Sequence, residues 1–183
     1  MTRAAGFTLI ELLVVLAIGG VLAMMAIPGL SSLAATQRIQ AEQRELADAL
    51  ALARSEAVSR GRPVVLCRST GDRRCTGTWS DGWMLFQDDG SDSSQGVAEE
   101  RILRLGQPAT ARIVAYNGEG VPRGEVRFDR EGYSSERLTF RLCGQQPGHA
   151  RAVLLERTGR LALSRADEGG QHRDAFDHVL DCS

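Results

Sequence analysis

Histidine and aspartate side chains gather near the C-terminus, where they could bind a divalent metal ion. His172 and His178 lie in a polar segment with three aspartates, Asp174, Asp177 and Asp181. Imidazole and carboxylate together form a common ligand set for transition metals. Their spacing matches no zinc-binding pattern, so solvated polar residues are the better interpretation. No nucleophile stands in a pattern with a general base either. We therefore expect no enzyme, no metal site and no cofactor.

All 22 basic residues are arginine, whose planar guanidinium binds phosphate and carboxylate with two parallel hydrogen bonds. The net charge of −1 argues against general binding to polyanions, but the charge is patterned. Residues 54–74 and 137–165 each carry six arginines against at most two acids, whereas residues 166–183 carry five acids against Arg173. Two interpretations stay open. The basic stretches pair with the acidic tail or with an acidic neighbouring protein, or they bind phosphate groups.

Glu11 is the only charged residue in an otherwise apolar run, residues 7–27. A helix of this length is about 30 Å long, enough to cross a bilayer. A secretory signal peptide would be cleaved after the run between small residues, but the nearest candidate, Ala26, follows Met24 by two positions. A plain membrane anchor would lack the carboxylate, which costs about 2.5–3.5 kcal/mol in a membrane helix. Glu11 therefore needs a partner, and we interpret it as a functional residue.

The four cysteines lie beyond this apolar run and form no C-x-x-C pair. An even number of cysteines beyond a membrane anchor indicates two disulfides in an oxidising compartment. Three connectivities are possible. The simplest joins neighbours in the chain, Cys67 to Cys75 and Cys143 to Cys182, because the first pair closes a short polar loop.

The six residues from Gly6 to Glu11, Gly-Phe-Thr-Leu-Ile-Glu, resemble the N-terminal signal of the type IV pilin and type II secretion pseudopilin superfamily. The resemblance implies that a prepilin peptidase removes a leader, residues 1–6, by cleavage after Gly6 and methylates the new amino terminus at Phe7. It also implies that Glu11 meets the terminal amine of a neighbouring subunit, which neutralises both charges in an apolar filament core.

The resemblance continues at Gly19-Gly20 and Pro28. Proline removes a backbone donor and should kink the helix, and the two glycines weaken it. In this superfamily the corresponding stretch can unwind when subunits pack into a filament. Pro28 is therefore expected, like Glu11, to matter for assembly.

After Pro28 a helical period continues, which predicts one helix over roughly residues 7–60. A narrow apolar stripe faces one side and polar residues face the other. Gly61 and Pro63 should end the helix. The stripe consists of Ile39, Leu46, Leu50, Ala53 and Ala57, and the opposite face of Gln37, Arg44, Asp48, Ser55 and Ser59.

Residues beyond the helix follow a pattern of short strands and turns. We expect a hairpin that turns at Thr158-Gly159, an exposed acidic loop over residues 88–100, and a polar tail that docks through Phe176, Val179 and Leu180. The predicted fold is α+β, with a long N-terminal transmembrane and stalk helix packed on an antiparallel β-sheet head. The predicted strands are residues 63–67, 83–87, 101–105, 111–116, 125–129, 138–143, 152–156 and 161–164.

The domain boundaries follow from these elements. We expect a leader at residues 1–6, a transmembrane and filament-core helix at 7–27, an amphipathic stalk at 28–61 and a periplasmic head at 62–183.

Details of the head resemble the GspH/FimT–FimU branch of the superfamily. They are the helix end at residues 53–57, the strand that ends in Cys67, the turn at residues 79–83 and the hairpin at residues 158–160. The branch implies a minor pilin or pseudopilin that initiates or caps the assembly of a type IV pilus or a type II secretion pseudopilus. Its partners would be other major and minor pilins or pseudopilins, the prepilin peptidase and an inner-membrane assembly platform. The chain would be a single-pass inner-membrane protein with a periplasmic head.

Two alternatives remain within this branch. One is a type II secretion system protein H that acts in protein export; two cysteine pairs favour the pilus instead. The other is a minor pilin that binds DNA for uptake, because some members resemble DNA receptors with a Gly-Arg-x-Arg hairpin. Here the stretch is Gly-Arg-Leu-Ala from Gly159, so the second arginine is missing. Arg157 and Arg165 would have to join Arg160 on one face to bind DNA.

Overall fold

The structure is a computed structural model that describes residues 8–88, 101–145 and 150–182, with side chains omitted for residues 23–31. The chain divides into two compact units, residues 1–37 and residues 38–183. The predicted acidic loop falls mostly outside the described residues.

A single helix, α1, runs from Leu9 to Arg60, through Gly19, Gly20 and Pro28. It ends where the sequence predicts. Gly61 adopts a left-handed φ of 62°, its N–H donates to the Val58 carbonyl, and the Arg62 N–H donates to the Ala57 carbonyl. These two bonds form a Schellman cap, which satisfies carbonyls that the helix end would otherwise leave unpaired.

The predicted stripe of α1 is confirmed in the second unit, where all five of its residues are buried and the polar residues Arg44, Asp48, Ser55 and Ser59 are exposed. The stripe joins one apolar core with the inner faces of two β-sheets. The helix is therefore held by burial of this face, which contributes about 25 cal/mol per Å² of apolar surface.

In the described residues, nine strands form two antiparallel sheets. The four-stranded sheet has the order β3-β2-β1-β6 and the five-stranded sheet the order β5-β4-β7-β8-β9. The predicted α+β class and the eight predicted strands are confirmed, with bounds shifted by two residues at most; β5 is additional. The strands are β1 Val64–Arg68, β2 Trp83–Gln87, β3 Arg101–Leu105, β4 Arg112–Tyr116, β5 Pro122–Arg123, β6 Glu125–Phe128, β7 Leu138–Cys143, β8 Ala150–Leu155 and β9 Leu161–Leu163.

Strands β1 and β2 are buried on both faces. Val64 and Leu66 belong to the main core with α1, whereas Val65 and Cys67 pack with Phe86 in a second cluster. Burial on both sides explains why these strands are continuously apolar instead of alternating.

The predicted exposed loop is wrong at its first residue, Asp88. Its side chain is 1% exposed and forms an ion pair with Arg127 of β6. The Asp88 N–H also donates to the Pro63 carbonyl, which continues the pairing beside β1 and β2 (2.9 Å). Asp88 is buried because the sheet extends one residue further than the apolar pattern indicates.

The turn between β8 and β9 depends on a close approach at Gly159, which has a left-handed φ of 73°. A Cβ atom there would collide with the Gly132 carbonyl oxygen and lie 2.7 Å from Arg54 Nε. Arg54 Nε donates to the same carbonyl (3.2 Å), so helix, turn and hairpin meet at this point.

We expect Gly159→Ala to destabilise the head by about 2–4 kcal/mol, because it adds steric overlap to backbone strain. Gly120→Ala is a matched control, since Gly120 has a φ of 74° and open space around it. The control should lose only about 1 kcal/mol, the cost of the left-handed conformation. Urea unfolding of both variants measures the difference, and equal losses would show that the close approach costs nothing.

Candidate functional sites at the helix start and in an arginine groove

The start of α1 is organised by Thr8 and Glu11. The Thr8 N–H and hydroxyl each lie 3.3 Å from Oε2 of Glu11, and the Glu11 N–H donates to the Thr8 hydroxyl oxygen (3.3 Å). This reciprocal pair is a capping box, which satisfies backbone donors at a helix N-terminus. Sequence reasoning missed it, although the spacing Thr-x-x-Glu was the signal. Gly6 and Phe7, the predicted cleavage and methylation residues, lie outside the described residues.

The first turns of α1 expose apolar side chains continuously. Leu9, Ile10 and Leu12 are between 58% and 76% exposed, and the large apolar side chains as far as Leu22 are exposed as well. A contiguous apolar surface of this size marks an interaction site. Within the described part of the chain, no helix is both long enough and apolar enough to span a membrane. The predicted segment 7–27 lies partly outside that part.

Two disulfides close loops of very different size. Cys67 is joined to Cys75, eight positions away, and Cys143 is joined to Cys182, 39 positions away. These are the neighbouring pairs of the simplest predicted connectivity. The second bridge fastens the C-terminal tail to the end of β7.

The tail, residues 166–182 of the described chain, docks on the five-stranded sheet through several further contacts. The Ala175 N–H donates to the Thr139 hydroxyl (2.9 Å), and the Arg137 guanidinium lies 5.1 Å from the centre of the Phe176 ring. Leu180 is buried as predicted, whereas Val179 is 44% exposed. The tail is therefore an integral part of the head.

Tyr116 on β4 is part of the contact between the sheet and the tail. The Tyr116 hydroxyl donates to Oδ2 of Asp174 (3.3 Å). Burial, together with the Asp174 carboxylate, raises the pKa of Tyr116 to about 12.

Three acidic residues of the tail, Asp167, Asp174 and Asp177, have partners within the tail. Arg173 lies 3.6 Å from both Asp167 and Asp177, and His178 Nδ1 lies 3.3 Å from Asp174. Backbone hydrogen bonds from Gln171 and Gly169, with Arg173 nearby, lower the pKa of Asp167. Pairing between the tail and the basic stretches, one of the two open interpretations, is not seen for Arg160 or Arg165 among the described residues.

Arginines from four parts of the chain line one groove of about 840 Å³. Arg44 comes from α1, Arg151 from β8, and Arg160 and Arg165 flank β9. His172 of the tail completes the wall, and the other residues lining the groove are uncharged. In the part of the chain that the structure describes, no carboxylate lines it, so the groove presents concentrated positive charge.

Of the three predicted DNA contacts, the structure brings Arg160 and Arg165 to this groove but not Arg157. Arg157 is exposed in the hairpin turn, where its carbonyl accepts a hydrogen bond from the Ser134 N–H (2.9 Å). Sequence reasoning missed Arg44, Arg151 and His172. Arg44 was correctly predicted on the exposed helix face, but its position beside β9 depends on tertiary packing.

His172 and Arg151 are both partly desolvated in the groove. Burial lowers the pKa of Arg151, and burial together with the charge of Arg151 lowers the pKa of His172. His172 Nδ1 lies 3.0 Å from Ser164 Oγ, which accepts a hydrogen bond from the Ala152 N–H (2.8 Å). The two tail histidines thus have separate partners. The described residues contain no group of three or more His, Cys, Asp and Glu side chains placed to hold a metal ion.

The sequence matches two family models at positions that correspond to this architecture. Residues 1–27 match the prokaryotic N-terminal methylation motif, and residues 42–159 match the type II transport protein GspH. The second match spans more than half of the chain. The chain belongs to the GspH family. It is thereby a minor pilin or pseudopilin, a structural subunit of pilus or secretion assembly.

Two solved structures of the type IV minor pilin FimU from Pseudomonas aeruginosa share the fold of this GspH-family chain. The first, in space group P21, is 24% identical with a TM-score of 0.54, and the match covers 70% of this chain and 90% of FimU. The second, in space group P65, is 25% identical with a TM-score of 0.51, and covers 69% and 92%. No curated protein matches the chain in sequence.

We expect loss of the Cys143–Cys182 bridge to destabilise the head more than loss of Cys67–Cys75. Loop-closure entropy for separations of 39 and 8 residues gives a difference of about 1.4 kcal/mol. Paired Cys→Ser variants, compared by urea unfolding, measure it, and peptide mapping without reduction checks the connectivity. A larger loss from the short loop would contradict this account.

Proposed function

We propose that this chain is a minor pilin of a type IV pilus that initiates or caps the filament, anchored in the inner membrane with its head in the periplasm. The observation that carries the proposal is the start of α1. A carboxylate on Glu11 stands in the first turn of an exposed apolar helix, within the residues that match the methylation motif. The prepilin peptidase would cleave between Gly6 and Phe7 and methylate Phe7.

Glu11 supplies a physical reason for assembly. A carboxylate among apolar side chains is costly unless it meets an opposite charge. Cleavage after Gly6 creates an ammonium group on Phe7, and the ammonium group of one subunit can meet Glu11 of the next. Pairing neutralises both charges in the filament core. The other major and minor pilins and the inner-membrane assembly platform are the partners of this step.

A pilus is favoured over a secretion pseudopilus by two features of the head. The fold is shared with FimU, a type IV minor pilin. The Cys143–Cys182 disulfide fixes the tail to the end of β7, so the tail forms a stable part of the surface of the head. The alternative, a protein H of a type II secretion system acting in protein export, uses the same helix and the same processing.

We expect Glu11→Val to reduce incorporation into filaments at least about tenfold. The reason is the loss of about 1.4 kcal/mol or more of pairing free energy between Glu11 and the neighbouring amino terminus. The measurement is the amount of each variant in purified filaments. Thr8→Val is a matched control that removes the Thr8 hydroxyl from the capping box but keeps the charge of Glu11. It should enter filaments at near wild-type levels.

Intact mass should show that both variants are cleaved between Gly6 and Phe7. Equal incorporation of Glu11→Val and wild type would contradict the assembly role. Equal losses in Glu11→Val and Thr8→Val would leave Glu11 with a capping role only. A mature chain that starts after Ala26 would overturn the pilin-type processing altogether.

The arginine groove favours a second candidate function, contact with DNA during uptake. Four arginines without a carboxylate would neutralise successive phosphates of a nucleic-acid backbone. Among the described residues, no Phe, Tyr or Trp side chain lines the groove, so the stacking platforms typical of single-strand binding proteins are missing there. Binding through phosphates alone would be independent of sequence.

We expect Arg160→Gln with Arg165→Gln to weaken DNA binding by the full chain in non-ionic detergent at least about tenfold, and to flatten the dependence on salt. Arg73→Gln with Arg74→Gln removes the same charge from the exposed Cys67–Cys75 loop and should have a small effect. Arg157→Gln should resemble this control because Arg157 does not line the groove. Equal losses in all three would indicate nonspecific attraction.

A further inference from the structure

His172 is the one residue lining the arginine groove whose charge changes near neutral pH. The residue is only 9% exposed, and its Nδ1 lies 3.0 Å from Ser164 Oγ in the segment after β9. The charges of Arg151 on β8 and Asp167 within the tail act directly on His172. Arg44 on α1 and Arg160 and Arg165 on either side of β9 line the same groove.

We propose that the groove is a phosphate-binding site that takes up a proton on His172 when its ligand binds. This inference rests on the second candidate function and names the ligand class, phosphodiester or phosphomonoester groups, and the regulation of the site. Binding is therefore tighter at acidic pH.

The direction follows from the charges around the imidazole. In the empty groove, burial and the adjacent Arg151 disfavour the imidazolium form, and the pKa of His172 lies below its ordinary value. Phosphate oxygens add negative charge beside His172 and offset the arginines, so the bound protein holds the proton more tightly than the free protein. By linkage, a ligand that raises the pKa binds better when the proton is available.

The affinity depends on pH differently in three ranges. Above the pKa of the complex, His172 is neutral with or without ligand, and affinity is constant. Between the pKa of the complex and that of the free protein, binding takes up one proton, and affinity rises as the pH falls, by up to about tenfold per pH unit. Below both, affinity is constant again at its higher value.

The probe must not titrate in the same range. Inorganic phosphate changes charge near neutral pH, whereas a phosphodiester keeps a single negative charge. Oligothymidylate therefore reports protonation of the protein, and the full chain in non-ionic detergent is titrated with it at constant ionic strength between about pH 8 and about pH 5.

We expect the Kd of wild type to fall at least about threefold across this range, and that of His172→Gln to fall much less. His178→Gln is the matched control, because His178 is exposed, pairs with Asp174 and does not line the groove. It should keep the wild-type dependence. The imidazole resonances of His172, followed by NMR, should titrate at higher pH with ligand than without.

The outcomes separate the two proposals. No binding by wild type at any pH overturns the DNA candidate and this inference together. Binding with the same pH dependence in wild type and His172→Gln, or an unchanged His172 titration with ligand, overturns the inference alone. A parallel titration with inorganic phosphate at about pH 5, where it is a monoanion, distinguishes a site for a single phosphate group from one that needs a polynucleotide backbone.

Discussion

The buried face of α1 between Ile39 and Ala57 is the surface on which both sheets close, and two polar links fix where they do so. Buried Gln43 donates from Nε2 to the Ala152 carbonyl (2.7 Å), and Glu42 accepts from the N–H groups of Thr110 and Ala111 (both 2.9 Å). An unpaired buried amide costs about 1–3 kcal/mol, so Gln43 specifies the position of β8 on the helix. The arginine groove follows from this placement, because β8 and β9 then stand beside Arg44.

The groove is basic in a nearly neutral protein because many acidic side chains are paired in other parts of the head. Asp129, Asp167 and Asp174 each accept two backbone N–H groups within their own turns. Glu136 and Glu156 form ion pairs with arginines outside the groove, Arg123 and Arg137. Since these carboxylates are held by local geometry, they cannot swing towards the groove at no cost. Net charge was therefore a poor guide to this surface, and local pairing decides it.

The elements of this fold could be predicted from sequence because each has a local cause. The stripe of α1, the cap at Gly61 and the turn at Gly159 all follow from periodicity or backbone preference. The groove could not be predicted in the same way. Arg44 and Arg151 are more than a hundred positions apart, and what joins them is the packing of β8 on the helix. Asp88 was assigned wrongly for a related reason, since its partner Arg127 lies on a strand distant in sequence. Local patterns specify elements, and long-range pairing specifies sites.

The capping box at the start of α1 links processing to assembly. An N-cap side chain such as that of Thr8 contributes about 0.5–2 kcal/mol, whereas a carboxylate such as Glu11 among apolar groups costs about 2.5–3.5 kcal/mol. Capping by Thr8 therefore offsets only part of the cost of the Glu11 charge. Pairing with the ammonium group of a neighbouring subunit would offset the rest. Cleavage after Gly6 would keep Thr8 and its N–H, so the mature chain retains the capping box. Cleavage two residues later would remove it. Under the proposed processing the helix start would stay folded, and the charge on Glu11 would still favour a partner in the filament.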